Sequence, residues 1–267
     1  MRSMTFSKFG PLDSLTMRDV PQPVPGQKDV LVRVRAASLG VGDVYSVRGT
    51  PWMIRATSGL LHPKHGIPGF DFAGTIEAVG AAVSDVTPGD DVFGYSAATC
   101  AEFTLARPRS LARKPASLSF EEAAAMPTAA SAALHGLRDA GRLRAGQRLL
   151  IIGASGGIGT FAVPIAKAMG AHVTGVCSSA NVELVRSLGA DVVIDYTRED
   201  FVAGDARYDV ILDNVENRRF DDVRRVLTPE GTMVLNSGTG AQGLPMFFRL
   251  VRPVVLSPFS KQTYRRY

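Results

Sequence analysis

A short aliphatic run that breaks into glycines constrains this chain more than any other stretch: Arg148-Leu149-Leu150-Ile151-Ile152-Gly153-Ala154-Ser155-Gly156-Gly157-Ile158-Gly159. The aliphatic part reads as a buried parallel strand, because a strand covered on both faces shows no polar alternation. Thr160 to Met169 then reads as a helix, which Gly170 stops. Strand, glycine turn and helix together form the cradle in which dinucleotide folds hold a pyrophosphate. Gly156 lets the backbone approach the anion with no Cβ in the way, and Gly159 lets the helix pack close to the strand. N–H groups near Gly157 and Ile158 point out of the helix start, where the dipole favours negative charge. Ala154 stands where the usual pattern has its first glycine. Ala154, Ser155, Gly156, Gly157, Ile158 and Gly159 are therefore the candidate phosphate contacts. A plain structural turn is the competing reading of any single glycine cluster; the strand-turn-helix-strand setting argues against it.

The sequence after this turn keeps alternating strand and helix. His172 to Val176, Asp191 to Ile194, Tyr208 to Leu212 and Thr232 to Leu235 read as strands, with helices over Asn181 to Leu188 and Phe220 to Leu227. That alternation predicts a doubly wound parallel sheet. The first part of the chain reads differently. Leu31-Val32-Arg33-Val34-Arg35 alternates apolar and charged, as a half-buried strand does, and Phe70 to Val79, Val92 to Gly94 and Ala101 to Leu105 follow with Gly and Pro punctuation. Many short strands of this kind suggest a partly open β-barrel. The character changes at Ser119, where Ser119-Phe120-Glu121-Glu122 supplies a helix N-cap with acidic residues in the first turn. Pro127 interrupts this helix, Thr128 to Ala140 resumes it, and Gly141 ends it. The expected domains are 1–118 and 119–267, an α/β protein whose length suits two domains.

Composition narrows the function classes. Cys100 and Cys177 are the only cysteines, too few for a disulfide framework or a four-cysteine zinc knot, and they fit free thiols in a reducing cytoplasm. The apolar runs are too short to span a membrane. A formal charge of +5 is modest; it would favour an anionic cofactor, and dispersed surface arginines explain it equally. Neither nucleic acid nor a membrane is expected as a partner.

Several motifs then occur in a telling order: Pro21 to Gly26, Gly69-Phe70-Asp71-Phe72-Ala73-Gly74, Pro88-Gly89-Asp90, Glu121 to Ala125, Gly146 to Lys167, Leu188-Gly189-Ala190-Asp191 and Asp195-Tyr196. In these the chain resembles the medium-chain dehydrogenase/reductase superfamily, in its zinc-free quinone oxidoreductase (zeta-crystallin-like) branch, over about residues 8–267. The resemblance implies a GroES-like β-barrel domain and a Rossmann doubly wound parallel sheet, with the cofactor in the cleft between them. It also implies NAD(P)H-dependent reduction of quinones, enones or related electrophilic carbonyl compounds. Zinc-dependent relatives carry Gly-His-Glu where Gly69-Phe70-Asp71 stands, so a metal-binding histidine is replaced by Phe70, and the cysteine-rich lobe is missing. Catalytic zinc needs three protein ligands. His62 and His65 have no cysteine beside them and read as loop residues, so no metal is expected. Without a Lewis acid, an acceptor that is already electron-poor suits the site best.

The resemblance also nominates site residues. Tyr45 matches a tyrosine beside the cofactor and substrate cleft; it would give a hydrogen bond or a proton to the substrate oxygen, or else be a packed aromatic. Asp43 reads as a turn or barrel carboxylate. Thr128 matches a position near the nicotinamide, and Asn217, Asn236, Ser237 and Gly238 match cofactor-contacting loops; ordinary loop polarity is the alternative for each. Glu216, where the branch often has glycine, is expected to point outward, since an inward carboxylate would repel phosphate. Pro164 replaces a usual glutamine inside the helix and is expected to kink it locally. Trp52 to His65 forms a loop that would roof an apolar pocket or serve barrel packing.

Coenzyme choice follows from the end of the second Rossmann strand. NAD-preferring sites place Asp or Glu there. This chain has Val176-Cys177-Ser178-Ser179-Ala180-Asn181 instead, leaving room for a 2′-phosphate with hydroxyl donors at Ser178 and Ser179. Tyr196 matches a further position lining that pocket, and Arg186 is a distant cation, so NADPH is expected over NADH. At the other end, the family pattern runs on through a sixth strand and back into the substrate domain, whereas this sequence stops at Tyr267. The expectation is an apparently truncated C-terminal part with a lost or shortened edge strand, reduced stability and little turnover. Dimer formation through a full sixth strand, seen in many relatives, is not expected. The sequence is then either a fragment or a minimal enzyme, and a non-catalytic nucleotide-binding protein is the competing function.

Overall fold

The structure is a computed structural model that describes residues 1–64, 66–236 and 260–267. The chain divides into two compact units, Met1–Thr128 and Ala129–Tyr267.

The first unit is built on strands β1 (Arg2–Thr5), β2 (Thr16–Asp19), β3 (Val30–Ser38), β4 (Asp71–Val79), β5 (Asp91–Tyr95), β6 (Phe103–Ala106) and β7 (Leu111–Arg113), with short helices α1 (Val41–Arg48), α2 (Arg55–Ser58) and α3 (Phe120–Ala124). Five of the strands make one antiparallel sheet in the order β6-β3-β4-β5-β7. Its core holds Val30, Val32, Phe72, Ile76, Val92 and Ala106. Val30 and Val32 lie two apart and so share one face of β3, the spacing that the alternating sequence predicts. Gly74 is needed where β4 crosses β3: a Cβ there would stand 2.2 Å from the Arg33 carbonyl oxygen. Ser119 caps α3, accepting the Glu122 N–H at 3.1 Å, while the Glu122 carboxylate accepts the Ser119 N–H at 2.8 Å. Ala123 and Ala124 of that helix pack on Ala73. The sequence-based boundary at 118 and the division at Thr128 thus differ by one helix, which lies on the β-sheet of the first unit.

The second unit begins within α4 (Pro127–Leu134), which continues as a wider π turn through His135–Ala140. Then come β8 (Arg148–Ile152), α5 (Gly157–Ala168), β9 (His172–Cys177), α6 (Val182–Ser187), β10 (Val192–Asp195), β11 (Tyr208–Asp213), α7 (Phe220–Arg224), β12 (Leu227–Leu235) and β13 (Thr263–Arg266). The six strands form one parallel sheet in the order β10-β9-β8-β11-β12-β13. Both faces of this sheet are covered. Leu149 and Ile151 enter the core on one side, with Ala162, Val163 and Ala166 of α5. Leu150 and Ile152 enter the core on the other, with Ile211, Met233 and Tyr264. This two-sided burial is why β8 reads as an unbroken aliphatic run. Strand order reverses between β8 and β11, and ligands of open α/β sheets bind at such switch points, outside the carboxyl ends of the strands. Among the described residues no helix is long and apolar enough to cross a membrane.

The structure decides one local expectation and corrects two. Of a lost or a shortened sixth strand it shows a short one: the four residues Thr263–Arg266 pair with β12 as the sheet edge. Tyr264 is 4% exposed within one core, and Tyr267 packs against the other. The sequence offered little warning, because Lys261 to Tyr267 has no aliphatic pattern and the strand is held by aromatic anchors. The predicted helix to Leu227 stops at Arg224 instead, since Leu227 already pairs with Tyr208. A register shift around Thr228-Pro229-Glu230 then separates that pair from the main β12 ladder, as a proline without an N–H requires. Finally, α5 starts at Gly157, inside the glycine turn, and runs through Pro164, whose side chain is exposed.

Candidate coenzyme and substrate site

Sterics builds the glycine turn. Gly153 leaves β8 at φ +80°, and a Cβ there would press on Val215 at 2.7 Å. The tight-turn role therefore falls on Gly153 rather than on Ala154, the residue the sequence pattern put in that place. Ala154 is fully buried, and its N–H joins that of Gly153 on the Val176 carbonyl of β9. Gly159 closes the approach of α5 to β8, since a Cβ would lie 2.2 Å from the Gly153 oxygen and 2.6 Å from the Ala154 carbonyl carbon. Gly156 and Gly157 are exposed, and a Cβ on Gly157 would meet nothing. Gly157 thus faces open space, as an approach route for an anion must, and at Gly156 a Cβ would touch the Gly153 oxygen at 3.4 Å. The N–H groups of Gly157 and Ile158 belong to the first helical turn, which has no intrahelical acceptors for them, and none is supplied by another described residue. The residues present thus fit a phosphate-bearing group.

Beside this turn lies the loop that follows β11. Asp213 organises it: its Oδ1 accepts the Val215 N–H at 3.0 Å and the Glu216 N–H at 2.8 Å. Asn214 is bound to Ile152 through its N–H, and its side-chain oxygen accepts Asn236 Nδ2 at 3.2 Å. Asn217 is exposed and Asn236 half-buried. Ser237 and Gly238 lie outside the described residues, as does His65. Glu216 overturns its expectation. It is 5% exposed and points inward, where Arg266 grips it with two hydrogen bonds of 2.8 and 2.7 Å. Its φ is +53°, a left-handed backbone that costs a non-glycine residue about 1–2 kcal/mol. That conformation explains a glycine in relatives. The arginine that neutralises the carboxylate comes from β13, the strand that sequence reasoning expected to be lost or shortened.

Across from the end of β9 the structure adds a carboxylate of β10, Asp195, which the sequence offered only as part of the family pattern and not as a site residue. Asp195 Oδ2 accepts the Ser179 hydroxyl at 2.5 Å, and Oδ1 accepts the Thr197 hydroxyl at 2.7 Å. These hydroxyls, Ser179 first, hold the Asp195 carboxyl below its ordinary range. The Ser179 proton is thereby committed. Ser178 keeps its own, because its oxygen accepts from Asn181 Nδ2 at 3.2 Å. Tyr196 stands beside this cluster, 53% exposed, with its N–H on the Cys177 carbonyl.

In the first unit, two buried carboxylates flank the motif around Gly69. Asp43, in the first turn of α1, accepts the Gly40 N–H at 2.8 Å and the Gly69 N–H at 2.9 Å, so it ties the helix to the start of β4. Burial, and then the charge of Asp71, push its pKa up. Asp71 accepts both the Thr128 N–H at 3.0 Å and the Thr128 hydroxyl at 2.6 Å. Burial raises its pKa as well, against those bonds. Thr128 is thus an exposed residue whose hydroxyl proton is already given away, leaving an acceptor oxygen. Cys100 nearby is pushed up to about 11, by burial and then by Asp43, so it stays a thiol. A pocket of about 270 Å³ opens here, lined by Asp43, Ser46, Phe70, Ser58 and Pro63 among others. The loop over Trp52 to His65 therefore reaches the pocket through Ser58 and Pro63. Trp52, Leu60 and Leu61 do not pack into the barrel: they are 74%, 71% and 83% exposed. Tyr45 is half-buried on α1, and its hydroxyl makes no hydrogen bond with any described residue. Among the described residues no group of three or more His, Cys, Asp or Glu comes together as a metal site.

Comparison with known proteins agrees with this architecture. Residues 26–134 match the alcohol dehydrogenase GroES-like domain, and residues 157–257 match the zinc-binding dehydrogenase family. The chain belongs to the medium-chain dehydrogenase/reductase superfamily. It is 32% identical over 251 residues to 2-methylene-furan-3-one reductase of Solanum lycopersicum, covering 89% of this chain and 62% of that one. It is 31% identical over 251 residues to an NADPH-dependent alkenal/one oxidoreductase of Arabidopsis thaliana, covering 89% and 63%. The quinone oxidoreductase of Coxiella burnetii superposes with a TM-score of 0.85 at 28% identity, over 100% of this chain and 82% of that one. The chain thus spans somewhat over three fifths of the length of the first two relatives.

Proposed function

We propose that the chain is an NADPH-dependent reductase of quinones or α,β-unsaturated carbonyl compounds that works without zinc. The observation that carries the reading is the glycine turn at the sheet's switch point, with first-turn N–H groups of α5 open to an anion. When bound there, the coenzyme supplies the hydride. The chain's part is to bind and orient. Gly157 and Ile158 receive the pyrophosphate on backbone N–H groups, while Gly156, whose own N–H is held by the Gly153 carbonyl, and Gly159 shape the turn. Ser178 and Tyr196 give hydrogen bonds to a 2′-phosphate. Ser179 contributes its oxygen alone, having donated to Asp195. Arg198, close enough to help lower the Asp195 pKa, offsets that carboxylate's charge. In this reading the acceptor oxygen of Thr128 serves the nicotinamide, and Tyr45 donates to the substrate oxygen.

The zinc-free part of the reading is supported by Phe70, an apolar side chain 44% exposed where zinc-dependent relatives place a ligand. A site of this donor chemistry suits an acceptor that needs no Lewis acid. The activities for which the alkenal/one oxidoreductase and the furanone reductase are named support the substrate class. Free thiols at Cys100 and Cys177 suit a cytoplasmic protein that meets small molecules, with neither nucleic acid nor a membrane as partner.

The test is coenzyme consumption with a panel of simple quinones and enones, NADPH and NADH in parallel. Turnover with NADPH at clearly higher kcat/KM is expected. Comparable efficiency with NADH removes the coenzyme preference, and stoichiometric tightly bound zinc in the purified protein removes the zinc-free assignment. Coenzyme binding with no acceptor reduced leaves the non-catalytic nucleotide-binding protein as the better description.

A further inference from the structure

We propose that the Glu216–Arg266 pair is the positioning element of the loop after β11, and that Arg266 thereby governs how tightly the chain holds a nicotinamide dinucleotide; this role rests on the coenzyme reading above. Glu216 sits at φ +53° with its carboxylate buried. Among the described residues, Asp213 and Arg266 hold it there. Its N–H is bound by Asp213 at 2.8 Å, and its two oxygens are held by the Arg266 fork at 2.8 and 2.7 Å. Such two-point geometry fixes orientation as well as charge. Arg266 reaches this position because it pairs with Leu235, at the carboxyl end of β12, and β12 lies between β11 and β13 in the sheet. The fork therefore spans the carboxyl end of β12. It holds the Asp213–Glu216 loop against the place where Asn236 leaves that strand, and Asn236 and Asn214 are themselves hydrogen-bonded at 3.2 Å.

The loop is also in contact with the phosphate cradle. Val215 stands so close to Gly153 that a Cβ on the glycine would lie 2.7 Å from it. Loss of the arginine removes the two-point grip on a buried carboxylate, which drives Glu216 toward water and its backbone out of the left-handed region. Val215 and Asn217 move with it, on either side, and the cradle loses the wall that shapes the Gly153 turn. Glycine at 216 needs no such support, since it adopts positive φ unaided.

The experiment is calorimetric titration of the full chain with NADPH and with NADH, with a thermal melt of every protein used. Arg266→Met is expected to weaken both coenzymes about tenfold, since the binding loop is no longer preorganised. The double variant Glu216→Gly with Arg266→Met is expected to return to within about threefold of the parent, although it too lacks the fork. A purely structural ion pair predicts the reverse, with the double variant as weak as the single one and affinity following melting temperature. Arg266→Lys keeps the charge and loses the two-point grip; about threefold weaker binding at an unchanged melting temperature is expected. Should Arg266→Met not fold, this variant decides alone, and parental affinity in it overturns the proposal. So does parental affinity in Arg266→Met, or a double variant that does not recover. A parent chain that binds neither coenzyme overturns the coenzyme reading itself, and the positioning role with it.

Discussion

The turn after β8 and the loop after β11 stand side by side at the carboxyl edge of one sheet, and each contains a residue in the left-handed region: Gly153 at φ +80° and Glu216 at φ +53°. The first keeps its shape because side chains are missing. Gly153 and Gly159 leave room for Val215 and for the backbone of the turn itself. The second keeps its shape because a side chain is present and paired, through a carboxylate bound to an arginine fifty positions further on. Steric turns of the first kind are local and carry their instructions within a few residues. Turns of the second kind are conditional on another part of the fold being in place.

This contrast is easiest to break at Gly159. Valine there would drive a Cβ into the Gly153 oxygen and the Ala154 carbonyl carbon, backbone atoms that have nowhere to go. A loss on the order of 3 kcal/mol in denaturant unfolding is expected, together with loss of coenzyme binding. Parental stability in Gly159→Val would mean that the turn is not sterically built. Gly153→Ala tests the same idea more gently. The methyl group meets the end of the Val215 side chain, which has some freedom to give, so the main cost is the left-handed backbone at about 1–2 kcal/mol. Urea unfolding checks it, and a cost below about 0.5 kcal/mol would show that the turn relaxes to another conformation.

The smallest effect belongs to the far end of the chain and sharpens what β13 contributes. Tyr267 packs over Gly136, whose missing Cβ makes room for the ring, and its hydroxyl is buried with no hydrogen-bond partner among the described residues. Burial pushes its pKa up to about 12 from an ordinary 10. The folded value lies above the unfolded one, so the stability this group contributes is whole below pH 10 and is lost as pH rises through about 12. Tyr267→Phe removes an unsatisfied hydroxyl, so at neutral pH it is expected to change stability by no more than about 0.5 kcal/mol. Between pH 10 and 12 its melting temperature should fall less than that of the parent chain. Equal alkaline sensitivity in the two would show that the ring is solvated rather than packed.

Much of the fold was legible because its signals are local. The β8 run, the alternation in β3, the Ser119 capping box and the glycine spacing each depend on a few neighbouring residues, and each element formed where those residues stand. The shape of the glycine turn was legible for the same reason, down to Gly159. What escaped depends on partners far along the chain. Asp195 matters through Ser179, which lies across a strand pair. Asp71 gained a role through Thr128, fifty-seven positions away. The shift of the first-glycine role from Ala154 to Gly153 needed the backbone angle, which no residue name reports for a turn with this many glycines.

The sequence by itself determined an antiparallel β unit followed by a parallel α/β unit, and a dinucleotide-type turn at the sheet's switch point, because hydrophobic period and glycine sterics act over a few residues. Only the tertiary structure decided that Thr263–Arg266 is the sixth strand and that Glu216 faces inward. The direction in which a charged side chain points is set by whether a counter-charge is waiting in the interior, and Arg266 arrives there by strand pairing that no local pattern announces.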